Sequence, residues 1–389
     1  MYYKKILVVA ALGLTMSAAV AQEVRIGLVT TLSGPLAALG EHVRDGFALG
    51  VEESGGKLGG LETKVIVEDD QLKPDIARQA ANKLFGRDKV QIMTGVIFSN
   101  VAMALAKPAQ DSGVLFISPN AGPAALAGEA CSPSFFATAW QNDQPHEAMG
   151  AHLQQQGVKK VYLMAPNYNA GKEALSGFKR AYKGEVVEET YAAMNQMDFA
   201  AEISQIQALQ PEALYVFLSG GMGINFVKQY AQAGLTDKIP LYSAFTIDSI
   251  TIPAIGEAAV GTYQTSLWSS DLPNSTNKRF VESFRAKYGY EPSNFAAQSY
   301  DTARLIDSAL RKVGSADDKQ ALIAALEKVE FDSVRGPFSF NTNHFPIGNF
   351  YLLKVIKDAD GKFRQVSEKT VLENAKDAYY TQCDMASKK

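Results

Sequence analysis

An α/β fold of two doubly wound parallel-sheet lobes, joined by a multi-strand hinge, is the architecture this sequence predicts. Three observations predict it. Short apolar runs alternate with amphipathic segments from residue 24 onward. The alternation restarts after Trp140. The chain has 389 residues, enough for two domains of ordinary size. Continuous apolar runs between amphipathic helices are the pattern of parallel strands covered on both faces.

In the first half, strands are predicted at 24–29, 63–68, 90–97 and 114–118, with helices at 40–54, 73–85 and 99–111. In the second half, helices are predicted at 146–156, 168–182, 199–207 and 223–233. Strands at 160–165, 185–191, 213–218 and 240–243 alternate with them. The last third reads as helices at 277–288, 295–313 and 317–329 and an antiparallel pair at 336–340 and 348–356. These are too few to bury a core of their own, so they are expected to return to the two halves. Repeated crossings would form a hinge. The expected division is 22–140 plus 269–341 for lobe 1 and 141–268 plus 342–389 for lobe 2.

Residues 1–21 have the form of a secretory leader. Lys4 and Lys5 give a basic start, an apolar run covers 6–16, and Ala19-Val20-Ala21 offers a cleavage site. The apolar run is far shorter than the roughly 18 residues of a membrane span. Cleavage is expected near Ala21, releasing a periplasmic protein with no direct membrane anchor. Cys131 and Cys383 are the only cysteines. In an exported chain an isolated pair suggests one disulfide, two free thiols being the alternative. Closing so long a loop is worth about 4–5 kcal/mol in the chain-entropy model.

A formal net charge of −3 gives no basic face for nucleic acid. Catalytic patterns are absent: no G-x-S-x-G elbow and no Walker loop occur. His146 and His152 stand about 240° apart around a helix, so they do not form the zinc pair of H-E-x-x-H. Glu68-Asp69-Asp70 reads as a solvated strand end. No catalytic residue, metal or cofactor is expected.

What remains is binding. In open α/β folds ligands sit beyond the carboxyl ends of strands, where helix N-termini offer free N–H groups to an anion. Three first-half turns fit: 31–40, with Ser33, Gly34, Leu39 and Gly40; Phe98-Ser99-Asn100; and 118–122, with Asn120, Ala121 and Gly122. In the second half, Tyr168-Asn169, Ser219-Gly220-Gly221 and Phe245 occupy strand ends.

These residues carry a resemblance. Ile26-Gly27, Leu32-Ser33-Gly34-Pro35, Gly40 and Gly46 come first. Glu68-Asp69-Asp70, Gly95 before Ser99, and Ile117-Ser118-Pro119-Asn120-Ala121 follow. Tyr168, Phe284, Tyr288-Gly289, Pro292 and Tyr300-Asp301 complete the set. In this order they resemble the periplasmic solute-binding proteins of ABC importers, of the branched-chain amino-acid (Leu/Ile/Val) type. The resemblance implies a type I fold, a monomer that closes on a small solute, and delivery to a membrane permease and its ATPases.

It also implies site roles. Ser99, Asn120 and the Ala121–Gly122 backbone match positions that hold a ligand carboxylate. Gly122 falls where amino-acid binders place a threonine that holds the ammonium, and Phe245 where they place an acidic residue. Leu39 stands where they carry a larger aromatic residue. A buried ammonium without partners is costly, so an aromatic carboxylate is favoured over a zwitterion. Phe98, Tyr168 and Phe245 are expected to pack its ring. The Asn-Ala-Gly-Pro loop and the late cysteine resemble the aromatic-acid subgroup. The alternatives are an aliphatic amino acid or amide, and a ligand-sensing subunit of a receptor.

Overall fold

The computed structural model describes residues 23–388. The leader expectation lies outside the described residues. Among the described residues no helix is long and apolar enough to cross a membrane.

In chain order the first half runs β1 (Glu23–Thr30), α1 (Ala37–Glu53), β2 (Lys57–Leu58), β3 (Leu61–Asp69), α2 (Pro74–Gly86), β4 (Ile92–Thr94), α3 (Ser99–Asp111), β5 (Leu115–Ser118), α4 (Ala124–Ala127) and β6 (Phe135–Ala137). The second runs α5 (Gln144–Gln155), β7 (Lys160–Pro166), α6 (Asn169–Ala181), β8 (Glu185–Ala192), α7 (Ala200–Leu209), β9 (Ala213–Val216), α8 (Gly221–Gln232), β10 (Leu241–Ser243), α9 (Ile252–Ile255) and β11 (Tyr263–Ser266). The return comprises α10 (Ser275–Tyr288), α11 (Asn294–Val313), α12 (Lys319–Glu327), β12 (Ser339–Phe340), β13 (Pro346–Lys357) and β14 (Phe363–Ala375).

Two sheets result, one for each lobe of a type I fold. The first has the order β2-β3-β1-β4-β5-β6, and the second β12-β13-β11-β10-β9-β7-β8 with β14 against β13. β1 pairs in parallel with both β3 and β4, and β7 with both β8 and β9. Strand order therefore reverses beside β1 and beside β7, the switch points at which such sheets open a crevice.

β1 shows why these runs become strands. Val24, Ile26 and Leu28 bury one face against Ile306 and Leu310 of α11, while Val29 joins the core on the other side. Burying a side chain of this size is worth roughly 1.5–3 kcal/mol. The return helices thus complete the first lobe, and β13 completes the second by pairing antiparallel with β11.

Four strands lack a counterpart in the sequence reading: β2, β6, β11 and β14. β11 is the polar run Tyr-Gln-Thr-Ser, and β14 carries Arg364, Glu368, Lys369 and Glu373 and buries none of its residues. Neither presents the apolar alternation that announces a strand, and β14 is a charged edge of the kind that resists further pairing. Asp70 also differs from expectation. It is fully buried, accepting from the Thr31 hydroxyl (2.5 Å) and the Leu72 amide (2.8 Å), so it organises the turn after β1.

At the hinge, the buried Arg335 guanidinium bonds Asp301 (3.2 Å) and the Ala139 carbonyl (3.1 Å). Asp301 also accepts from the Ser333 hydroxyl and the Val334 amide. Cys131 and Cys383 form a disulfide with Cα atoms 5.7 Å apart, tying the tail beyond β14 to the segment before β6.

Candidate functional site

The lobes are shut against each other. The Ala124 amide donates across the interface to Glu173 Oε1 on α6 (3.2 Å), and the Phe98 and Tyr168 rings lie 6.2 Å apart. Ser249 of the second lobe donates to the Pro292 carbonyl of the first (2.9 Å). Between them is a pocket lined by residues of both lobes.

Its first-lobe wall is Leu39 on α1, Ile97, Phe98 and Ser99 at the head of α3, and Asn120 after β5. Its second-lobe wall is Tyr168, Ala170, Phe217, Ser219 and Phe245, which follow the carboxyl ends of β7, β9 and β10. Trp140, Asn142 and His146 enter from the crossing into α5, and Phe295 from the head of α11. No lining side chain is an acid, a lysine or an arginine.

Polar groups cluster around Ser99. Phe98 is extended (φ −98°, ψ 134°) and caps α3, so Ser99 is the first helical residue, where backbone N–H groups lack helical partners. Asn142 Nδ2 donates to Ser99 Oγ (2.8 Å) and to Glu173 Oε2 (2.7 Å). Asn142 Oδ1 accepts from the Gly122 amide (3.0 Å). With its oxygen already accepting, the Ser99 hydroxyl has its proton to give. Asn120 is fixed by donating to the Ile97 carbonyl (2.7 Å) and accepting from Gln298 (2.6 Å). Burial pushes Glu173 up to about 7, against the pull of its bond to Asn142. Burial, reinforced by the nearby Glu173 charge, pushes the Tyr168 phenol upward, keeping it a neutral O–H donor.

The apolar body of the cavity is aromatic. Phe245 packs 4.8 Å from Trp140, 5.8 Å from Phe217 and 6.3 Å from Phe295, between ring centroids. Its φ of +59° is left-handed, a strained choice for a bulky residue. Next to it, Thr246 Oγ1 accepts from the Leu218 amide (2.9 Å) and donates to the Val216 carbonyl (3.2 Å), pinning the turn.

Of the sequence-derived residues, Leu39, Phe98, Ser99, Asn120, Tyr168 and Phe245 come together on this lining. Gly40, Asn100, Ala121, Gly122 and Asn169 do not. Gly40 serves close packing: a Cβ there would stand 1.9 Å from the Thr31 carbonyl oxygen. A Cβ on Gly122 would meet the Trp140 carbonyl oxygen at 2.1 Å, so the loop has no room for a threonine. Ala121 donates its amide to Val96 O (3.3 Å), and Asn169 is exposed at the start of α6. Asn100 is the second residue of α3, behind Ser99.

Trp140, Asn142, His146, Phe217 and Phe295 were not anticipated. The rule that ligands sit at strand ends reaches Phe217, directly after β9. The others lie in the crossing segment and in helix heads, which no local pattern marks as a wall.

Residues 23–362 match the family model described as periplasmic binding protein. A curated relative, Leu/Ile/Val-binding protein homolog 6 of Brucella melitensis, is 28% identical over 91% of this chain and 93% of its own. A solved solute-binding protein of an ABC transporter from R. palustris, in complex with benzoate, is 34% identical with a TM-score of 0.88. That similarity covers 93% of this chain and all of the other. A second, from Rhodopseudomonas palustris BisB5 in complex with 3,4-dihydroxybenzoic acid, is 29% identical with a TM-score of 0.87, covering 92% and 99%. The match along most of the chain, on two lobes shut over an uncharged aromatic cavity, makes this protein a member of the periplasmic binding protein family, the solute-binding components of ABC transporters.

Proposed function

We propose that this chain captures an aromatic carboxylate in the periplasm by lobe closure and delivers it to an ABC permease. The observation that carries the reading is the lining itself: aromatic rings around hydroxyl and amide donors, with no acid to hold an ammonium. A carboxylate there is met by the Ser99 hydroxyl, the head of α3 and the Tyr168 hydroxyl. The ring lies among Phe98, Trp140, Phe217 and Phe245. The solved relatives in complex with benzoate and dihydroxybenzoate support the same chemistry.

The second reading, an aliphatic amino acid, is favoured by the Leu/Ile/Val-binding name of the Brucella relative. Against it, Glu173, the carboxylate behind the lining, is committed to Asn142 and the Ala124 amide.

A thermal-shift panel tests the choice, because a ligand at 100 times its Kd stabilises by about 2.7 kcal/mol. Benzoates are expected to raise Tm and leucine or valine to leave it unchanged. Ser99→Ala should weaken benzoate binding about tenfold or more, as loss of a bond to a charged group does. Stabilisation by leucine and by no aromatic acid overturns the reading.

A further inference from the structure

Tyr215 on β9 is fully buried, and its hydroxyl has one partner among the described residues, His146 Nδ1. A buried phenol whose proton goes undonated loses free energy. The bond therefore runs from Tyr215 to His146: the phenol donates and Nδ1 accepts. A neutral imidazole that accepts at Nδ1 carries its proton on Nε2. His146 is itself only 2% exposed and lines the cavity, and Nε2 has no protein partner among the described residues. Its ring is 4.9 Å from Phe217 and 5.9 Å from Phe245 by centroid, so the imidazole lies beside the rings assigned to the ligand's aromatic body.

We infer that His146 is the specificity-determining residue of the cavity: its Nε2–H, fixed by Tyr215, takes an acceptor oxygen on the ligand's ring, so the preferred substrates are hydroxylated aromatic acids. The inference rests on the aromatic-acid reading above. Burial keeps the imidazole neutral, pulling its pKa down to about 3. A neutral donor suits a phenolic oxygen. It gives nothing to a methyl group, and an aniline nitrogen, whose lone pair is drawn into the ring, is a poor acceptor. With an unsubstituted ring the N–H stays buried and unpaired, which disfavours that ligand.

Calorimetric titration of the full protein with benzoate, 4-methylbenzoate, 3-hydroxybenzoate and 4-hydroxybenzoate tests this, using wild type, His146→Phe, His146→Gln and Tyr215→Phe. In wild type at least one hydroxybenzoate should bind roughly three- to tenfold more tightly than the methyl acid, the range of one neutral hydrogen bond. The ratio should vanish in His146→Phe, persist in part in His146→Gln, which keeps an N–H donor, and shrink in Tyr215→Phe, where the tautomer is released. If His146→Phe does not fold, Tyr215→Phe and His146→Gln carry the comparison. Acids that bind with a ratio unchanged by these variants overturn the role of His146. Failure of every acid to bind wild type contradicts the aromatic-acid reading instead.

Discussion

Ser99 illustrates how much a single residue's role depends on what stands behind it. Its oxygen accepts from Asn142, and Asn142 is held in turn by Glu173 and by the Gly122 amide. Glu173 belongs to the second lobe, so it reaches the carboxylate end only when the lobes are shut. Asp143, Tyr168 and Tyr379 are the other titratable groups whose fields meet it. Its carboxyl is raised in the closed protein from 4.5 to about 7. We expect closure to supply that burial, because the Ala124 amide against Glu173 belongs to the facing lobe, so closing takes up a proton. Its contribution is therefore present below pH 4.5 and is lost as pH rises through about 7. A ligand carboxylate at Ser99 adds a second negative charge nearby and strengthens the effect. Affinity for benzoate is expected to fall as pH rises through neutrality in wild type and to be flatter in Glu173→Gln. Calorimetry in buffers of different ionisation enthalpy should show proton uptake in wild type alone. Equal proton uptake by both proteins contradicts the role given to Glu173.

Legibility at the level of elements follows local chemistry. The buried strands at 24–29 and 160–165 announced themselves because nothing but a two-sided core explains such apolar runs. The residues at the ends of β1, β4, β5, β7 and β10 were reachable from a general rule about where α/β sheets bind ligands. β14 and β11 were not, because their stability comes from pairing with β13 rather than from side chains that advertise burial. Asn142 and His146 were not, because their meaning lies in partners 43 and 69 residues away, Ser99 and Tyr215. The disulfide is an element-level contact that the cysteine count did suggest. It closes a separation of 252 residues and holds the tail beyond β14. Replacing Cys131 and Cys383 together by serine should cost about 2–5 kcal/mol of stability, read from urea unfolding with and without reductant. Wild type should respond to reductant and the double variant should not. Equal stability of the two proteins would show that the bridge constrains nothing.

At the scale of the whole molecule, two sheets with reversed strand order face each other, and the cavity lies where both reversals meet. Buried polar contacts, Arg335 with Asp301 and the Thr138 hydroxyl with Thr302 (2.6 Å), hold the chain before Trp140 and the segment around Arg335 against α11. Contacts that span the lobes, such as Glu173 with Ala124 and Ser249 with Pro292, are made only on closure, so ligand and closure stabilise each other. On this reading an aromatic acid is what closes the lobes. Equilibrium dialysis of protein stripped of ligand by unfolding and refolding, against radiolabelled benzoate with and without excess leucine, tests it most directly. One benzoate should be retained per chain, undisplaced by leucine and displaced by 4-hydroxybenzoate. Retention of labelled leucine in the parallel experiment, with benzoate unable to bind or compete, would contradict it.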